Sequence, residues 1–493
     1  MKLRTAALLA VVLGSAGCTT VGPDYERPPL QPGERYQAPV PSLVGQPADL
    51  VWWRGFRDPL LDELVRRGLT GNLDIQTAAA RIREARAALH GARSDRLPSL
   101  DGQAGATVRS SRDFGDDSGR SSRNGGNSDD DDSEGNLNVA ALFGWSADLF
   151  GGLRRSEQAA RAELLRQAWL REDAGLAVAA DIVRTYVELR GQQRRLELAT
   201  QSLELQQQTL DIVRSRVDAG LAPQLELAQA QAAVASLRAD IAPIARDIRL
   251  ATNALAVLVG ERPGDLQIAA PETAGAIPVP EAAPPLGMPA DLLRRRPDLQ
   301  AAEYDLVRAT AEIGVQEADL YPQLRLPGSL TLGVDGLGTG AIGESVVAAL
   351  SATLDIPVAD GGRRRAEVDA AEAQAAQALY AYRGTLLTAL REVEGAMHSY
   401  EGARLRLQSL DATVEANERA YEQARTLYTQ GLVNFIEVLD SQRALTESLQ
   451  QRAIARTSLA STFADLYQAA GFSPCSTGLP SPPDTPVACL ANP

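Results

Sequence analysis

The chain is poor in the residues that carry most enzyme chemistry. It has only two histidines, His90 and His398, and three cysteines. Its one lysine is Lys2, so every later cation is an arginine. The histidines lie far apart in sequence, and no HExxH, P-loop or GxSxG pattern occurs. No catalytic constellation, cofactor or metal site is therefore expected. Aromatic residues make up 4% of the chain, and the formal net charge of −14 argues against a nucleic-acid partner. Beyond the N-terminus no run of about 20 apolar residues appears, so no transmembrane helix is expected.

What is present is Ala, Leu, Gln, Arg and Glu in 493 residues, a mixture that reads as long helices or coiled coil. The first residues form a secretion signal. Lys2 and Arg4 supply the charged region, "AALLAVVLG" a short apolar core, and "SAGC" ends in Cys18. Small residues before Cys18 point to cleavage there and lipid attachment to its sulfur. The position three before it, where a lipoprotein signal usually has leucine, is Ser15. An ordinary signal peptide with an incidental cysteine is the alternative. Cys475 and Cys489 lie in a Pro-rich tail. In an exported chain they form a candidate disulfide, which would staple the terminus by roughly 3 kcal/mol in the chain-entropy account. Two free thiols are the alternative.

The chain repeats itself. "RIREARAALHGARSDRLPSL" (81–100) resembles "YDLVRATAEIGVQEADLYPQL" (304–324). "DLFGGLRRSEQAARAE" resembles "VADGGRRRAEVDAAEAQ", and "RVDAGLAPQLELAQAQ" resembles "LYTQGLVNFIEVLDSQ". Gly220 and Gly431 are 211 positions apart. Leu196, Leu203, Leu210 and Val217 recur every seven residues, and Leu407, Val414, Tyr421 and Tyr428 do so at the same offset, which predicts coiled-coil packing. Each half reads helix, two strands, long helix, turn, long helix. The stretch from Arg154 to Ala219 would run about 100 Å as a helix.

The strand segments alternate with period 2. Leu137, Val139, Ala141, Phe143, Trp145, Ala147 and Leu149 share one face. Leu100 to Val108, Leu324 to Val334 and Val346 to Ile356 repeat the pattern. Strands of about ten residues or more with strict alternation fit a transmembrane β-barrel; a half-buried soluble sheet is the alternative. Four strands cannot close, and open edges in lipid leave unpaired amides at several kcal/mol each. Several copies must therefore pool strands. The loop 111–135 is acidic and Gly/Ser-rich. Its run Asp129 to Asp132 reads as solvated charge, with divalent-cation binding as the alternative, and it lacks the ligand spacing of an EF-hand.

Gly220 and Gly431 each interrupt a helical run, and glycine supplies a left-handed C-cap at low cost. Each marks an αα-hairpin tip. Glu437 and Asp440, spaced i and i+3, share a helix face just beyond the second tip. In "RRRPD" (294–298), Pro297 and Asp298 make a helix start.

Three stretches carry a family resemblance: "CTTVGPDYERPP", "WWRGFRDPLLDELVRRGLTGNLDIQTAAARIREARAAL" (52–89) and "LLRRRPDLQAAEYDLVRATAEIGVQEADLYPQL" (292–324). Over nearly its whole length the chain resembles the TolC/OprM/NodT-like outer membrane factor lipoproteins, the exit ducts of tripartite efflux pumps. The resemblance implies a mainly α fold with a membrane β part. It implies a homotrimer with an α-barrel of long coiled-coil helices and a shared twelve-stranded transmembrane β-barrel, four strands per protomer. It implies as partners a periplasmic membrane-fusion adaptor and an inner-membrane transporter of the resistance-nodulation-division (RND) class. It implies location in the Gram-negative outer membrane, held by lipid at Cys18 and reaching into the periplasm.

On that pattern residues 1–17 are signal and 18–58 a lipidated segment and belt. Residues 59–97 form one α-barrel helix, 98–150 strands 1–2, and 151–260 helices with the tip at 220. Residues 261–290 are an equatorial linker, 291–321 a helix, and 322–358 strands 3–4. Residues 359–471 are helices with the tip at 431, and 472–493 a tail. By the resemblance Gly220–Leu221 and Gly431–Leu432 are adaptor-docking tips. Glu437, Asp440, Glu226 and Tyr428 match the periplasmic gate, where acids in a trimer form rings that attract cations. Some relatives carry an arginine two residues after the second glycine, paired with the acid of the neighbouring hairpin. Here that position is Val433, with Arg425 as a possible substitute. The competing functions are a channel for type I protein secretion and a periplasmic coiled-coil adaptor or scaffold.

Overall fold

A computed structural model describes residues 20–30, 32–33, 36–38, 51–111, 132–268, 277–280, 289–337 and 343–473. Cys18, Cys475, Cys489 and Asp129 to Asp131 lie outside them. The described chain forms two compact units. One comprises residues up to 27, 84–164 and 305–379; the other comprises 28–83, 165–304 and 380 onward.

The duplication read in the sequence is clearest in the long helices. We number the main elements α1 (Pro59–Gly71), α2 (Leu73–Ser94), β1 (Ser99–Ser111), β2 (Asp132–Ala147), α3 (Gly152–Asp218), α4 (Gln224–Val259), α5 (Pro297–Ala318), β3 (Gln323–Leu337), β4 (Gly343–Leu350), β5 (Thr353–Asp355), α6 (Arg363–Thr429) and α7 (Phe435–Ala469). Helices α3 and α6 each have 67 residues. Their first residues, and those of α4 and α7, keep the 211-residue offset.

The single helix expected over 59–97 is two. Asn72 takes an extended backbone between α1 and α2. Its Oδ1 accepts the amides of Asp74 and Ile75, which caps α2, and its Nδ2 donates to Leu258 O at 3.0 Å. A residue that can cap the next helix competes with continuing the previous one. Upstream, Asp58 caps α1 by accepting from Leu60 N and Leu61 N, with Pro59 at the first turn.

In the first unit the strands pair antiparallel in the order β1-β2-β3-β4, with β5 also on β3. The register puts Leu100, Phe143, Gly328 and Leu350 in one row and Ala104, Val139, Leu332 and Val346 in another. The apolar sets of all the strands thus fall on one face. That face is open in the protomer: Val139 and Leu332 are each 50% exposed and Val346 71%. The opposite face carries Gln103, Asn138, Ser329 and Thr331.

Two details depart from the sequence reading. Strand β2 starts at Asp132, inside the expected loop 111–135, because the ladder continues through the pair Ser111–Asp132 whatever the side chains. The fourth strand is split into β4 and β5. Both keep one register on β3, and the break falls opposite Pro327. Ser351 N donates to Pro327 O at 3.0 Å, but Pro327 has no N–H to return the bond.

At the base of this sheet the N-terminal segment is clamped. Val21 N donates to Phe150 O at 3.0 Å. Arg155, 4% exposed, donates to Val21 O, Gly22 O and Asp24 Oδ1. Thr20, two residues after Cys18, lies against Gly151.

The second unit holds the main helical core. Ile182, Tyr186 and Leu189 of α3 and Ala460 and Ala464 of α7 are fully buried. Trp52 stacks on Tyr467 at 5.1 Å, and Phe56 meets Phe463 edge-on. Pro297 starts α5, as the "RRRPD" motif predicts. Arg296 joins three elements there. It donates to Asp298 in bidentate fashion, to Glu392 Oε2 of α6 and to Ala469 O at the end of α7. None of the described helices is long and apolar enough to cross a membrane.

Candidate functional site at the paired hairpin tips

Both hairpins turn by the same device. At the end of α3, Gly220 has φ +71°, Gly220 N donates to Val217 O and Leu221 N reaches back to Arg216 O. At the end of α6, Gly431 has φ +76°, Gly431 N donates to Tyr428 O and Leu432 N reaches back to Leu427 O. These are two Schellman caps, the 6→1 and 5→2 bonds that a left-handed glycine permits. Pro223 and Asn434, both extended, then start α4 and α7. The tips leave apolar side chains in solvent: Leu221 is 70% exposed and Leu432 67%.

Just behind the tips the two hairpins share a core. Val213, Ala230, Tyr421, Tyr428, Phe435, Val438 and Leu439 are buried together. Tyr428 lies 5.7 Å from the Phe435 ring. Its Oη donates to Glu226 Oε2 at 3.0 Å, which ties α6 to α4. The Arg216 guanidinium sits 4.6 Å over the Tyr428 ring and donates to Tyr428 O. Burial, and then the Glu226 carboxylate to which it donates, push the Tyr428 hydroxyl up to about 12.

Two of the sequence-predicted gate residues, Glu226 and Tyr428, are therefore brought into contact. Glu437 and Asp440 occupy the outer face of α7, both exposed, and Asp440 approaches Arg443 at 3.9 Å. Neither touches the Tyr428–Glu226 pair. Val433 packs against the shared core, and Arg425 lies beside Tyr421 and not at Glu226. The link between hairpins is thus a tyrosine–carboxylate bond stacked under Arg216. Sequence reasoning did not find Arg216, because an arginine among many on a helix carries no pattern.

The heptads behave unequally. Val414, Tyr421 and Tyr428 are buried, as the spacing predicts, whereas Leu407 of the same heptad is only half-buried. Leu196, Leu203, Leu210 and Val217 are only half-buried, and on α3 the seam is filled by Ser202, Gln206, Thr209 and Val213. Polar residues in a seam give no hydrophobic period, so the sequence misplaces it. Among the described residues no group of three or more His, Cys, Asp or Glu side chains is placed to hold a metal ion.

The sequence matches the family described as outer membrane efflux protein over residues 64–261 and 288–472. It is 31% identical over 490 residues to nodulation protein T of Rhizobium leguminosarum bv. viciae, covering 99% of this chain and 97% of that one. It is 30% identical over 478 residues to the toluene efflux pump outer membrane protein TtgF of Pseudomonas putida, covering 94% and 95%. The structure resembles that of the outer-membrane channel OprN with a TM-score of 0.80 and 30% identity, over 92% of this chain and 98% of that one.

Proposed function

The chain belongs to the outer membrane efflux protein family, and we propose that the paired hairpin tips are its gate and its docking end. Its fold class is the family's trimeric α-barrel with a shared transmembrane β-barrel, and it is an outer-membrane exit duct for efflux. One observation carries the gate reading: Tyr428 of one hairpin holds Glu226 of the other, behind tips whose capped turns present Leu221 and Leu432 to solvent.

Several further roles follow from this reading. Leu221 and Leu432 meet a periplasmic adaptor, and an RND-class transporter loads the duct from the inner membrane. Glu437 and Asp440, repeated around a three-fold axis, form two acidic rings through which the cargo leaves. Cys18 carries the lipid, and the segment that follows it is clamped through residues 21–24 by Arg155 and Phe150. The exposed apolar rows of β1 to β4 face lipid, since an open sheet with that face in water would expose a large contiguous apolar patch.

The test is biochemical and cellular together. Membrane extracts should yield a detergent-dependent trimer that migrates differently before and after heating. Deletion of the gene should sensitise cells to compounds that its adaptor and transporter export. A soluble monomer, or unchanged sensitivity with the partner genes intact, would reject the proposal.

A further inference from the structure

The apolar face of the sheet runs into arginines at its base. Along β2 it passes through Trp145, 37% exposed, to Leu149, and α3 follows. Beyond β4 it passes through Leu354 and Ile356 to Val358, 91% exposed, and α6 follows. Most cations at this junction are neutralised within the chain. Arg93 and Arg96 pair with Glu157, Arg155 with Asp24, Arg363 with Glu367 and Arg364 with Asp360.

Arg154 and Arg365, both exposed, face no acid. Among the described residues the Arg154 guanidinium donates only to the Thr20 hydroxyl, at 3.1 Å, and the Arg365 guanidinium has no hydrogen bond or ion pair. The two positions correspond. Each is the third residue of a 67-residue helix, at the 211-residue offset of the duplication. Arg325, bonded to Gln323, belongs instead to the opposite, polar face with Ser146.

We propose that Arg154 and Arg365 bind the phosphate groups of anionic phospholipids in the periplasmic leaflet, repeated around the trimer. The proposal rests on the lipid-facing sheet and the acylated Cys18 proposed above. Thr20 follows that anchor by two residues, which puts Arg154 on the outer side of the barrel, toward the bilayer. Copies of a repeat arranged around one barrel axis face the same way, so Arg365 does too. Lipid tails cover the apolar rows, and the headgroups then lie where those rows end. A guanidinium fork matches phosphate oxygens bidentately, and no acid in the protomer competes for either arginine. The Tyr321 ring, stacked on Phe150 at 4.6 Å and 40% exposed, is an aromatic of the kind that sits at headgroup level.

Trp145 is a built-in reporter, since Trp52, Trp53 and Trp169 are buried. The purified trimer is placed in phosphatidylcholine vesicles doped with phosphatidylglycerol or phosphatidylcholine brominated on the acyl chains. Brominated phosphatidylglycerol should quench wild-type Trp145 at a mole fraction at least about threefold lower than brominated phosphatidylcholine does. Arg154→Gln/Arg365→Gln should lose that preference and keep its quenching by phosphatidylcholine. If the double variant does not assemble, Arg365→Gln alone, which breaks no contact in the protomer, should lower the preference. Equal quenching by the two lipids in the wild type, or an unaltered preference in the variant, would overturn the arginine site. So would loss of the preference in inorganic phosphate beyond that in chloride of equal ionic strength, which assigns a free-phosphate site. No quenching by either lipid would instead reject the lipid-facing sheet on which the proposal rests.

Discussion

Tyr428 and Glu226 are held 3.0 Å apart across two hairpins whose tips lie 211 residues apart in sequence. A hydroxyl donating to a half-buried carboxylate belongs to the stronger class of protein hydrogen bonds, worth about 1.5–3 kcal/mol net. Tyr428→Phe keeps the ring under Arg216 and removes only that bond. Ion leak from liposomes carrying the trimer should rise several-fold in this variant. Glu226→Gln, which still accepts the hydroxyl, should leak less than Tyr428→Phe.

Gly431 and Gly260 have similar φ values, +76° and +83°, and different surroundings. A Cβ on Gly431 meets nothing within 4 Å, so Gly431→Ala costs backbone strain alone, about 1 kcal/mol. A Cβ on Gly260 would strike the carbonyl of Gly71, where α4 ends against α1. Gly260→Ala should cost more than about 3 kcal/mol. Chemical denaturation in detergent, comparing the two midpoints, checks the difference.

Asp173 gives a pH dependence. It lines a polar cavity of about 400 Å³ with Arg296, Asp298 and Glu392. Burial first, then the Asp298 charge, push its carboxyl up to about 6, against the partial relief given by Arg296. The folded state therefore binds this proton more tightly than the unfolded chain, whose aspartates titrate near 3.9. The contribution is full below about pH 4 and is lost as pH rises through about 6. Wild-type Tm should fall across that window more steeply than Tm of Asp173→Asn. At pH 7.5 Asp173→Asn should be the more stable protein.

The two faces of the sheet predict opposite tolerances. Leu332→Arg places a charge among apolar rows that face lipid, at about 2–4 kcal/mol near the bilayer midplane. Its neighbour Thr331→Arg points the other way. Assembly into heat-modifiable trimers should drop for Leu332→Arg and persist for Thr331→Arg.

The duplication, the alternating strands and the two tips were legible in sequence because each leaves a periodic or paired signal. The offset from Gly220 to Gly431 shows both hairpins, and period 2 sorts every strand to the correct face. The helix break at Asn72 was not legible, since a capping asparagine between two amphipathic stretches looks like a polar residue in one helix. The split at Pro327 was masked by a register that runs on through it. The seam on α3 was misread because Gln206 and Thr209 fill it where leucines lie only half-buried beside it. Arg216 and the Tyr428–Glu226 contact depend on the packing of one hairpin on the other, which no local pattern encodes.

On the function proposed above, acids just behind the second tip govern passage through the duct. Glu437 and Asp440 are exposed on one face of α7, so their removal tests conduction without disturbing a core. Single-channel recording in planar bilayers of the wild type and of Glu437→Ala/Asp440→Ala tests it most directly. Higher conductance, weaker cation selectivity and relief of divalent-ion block are expected in the variant. Conductance, selectivity and block all equal to wild type would contradict it.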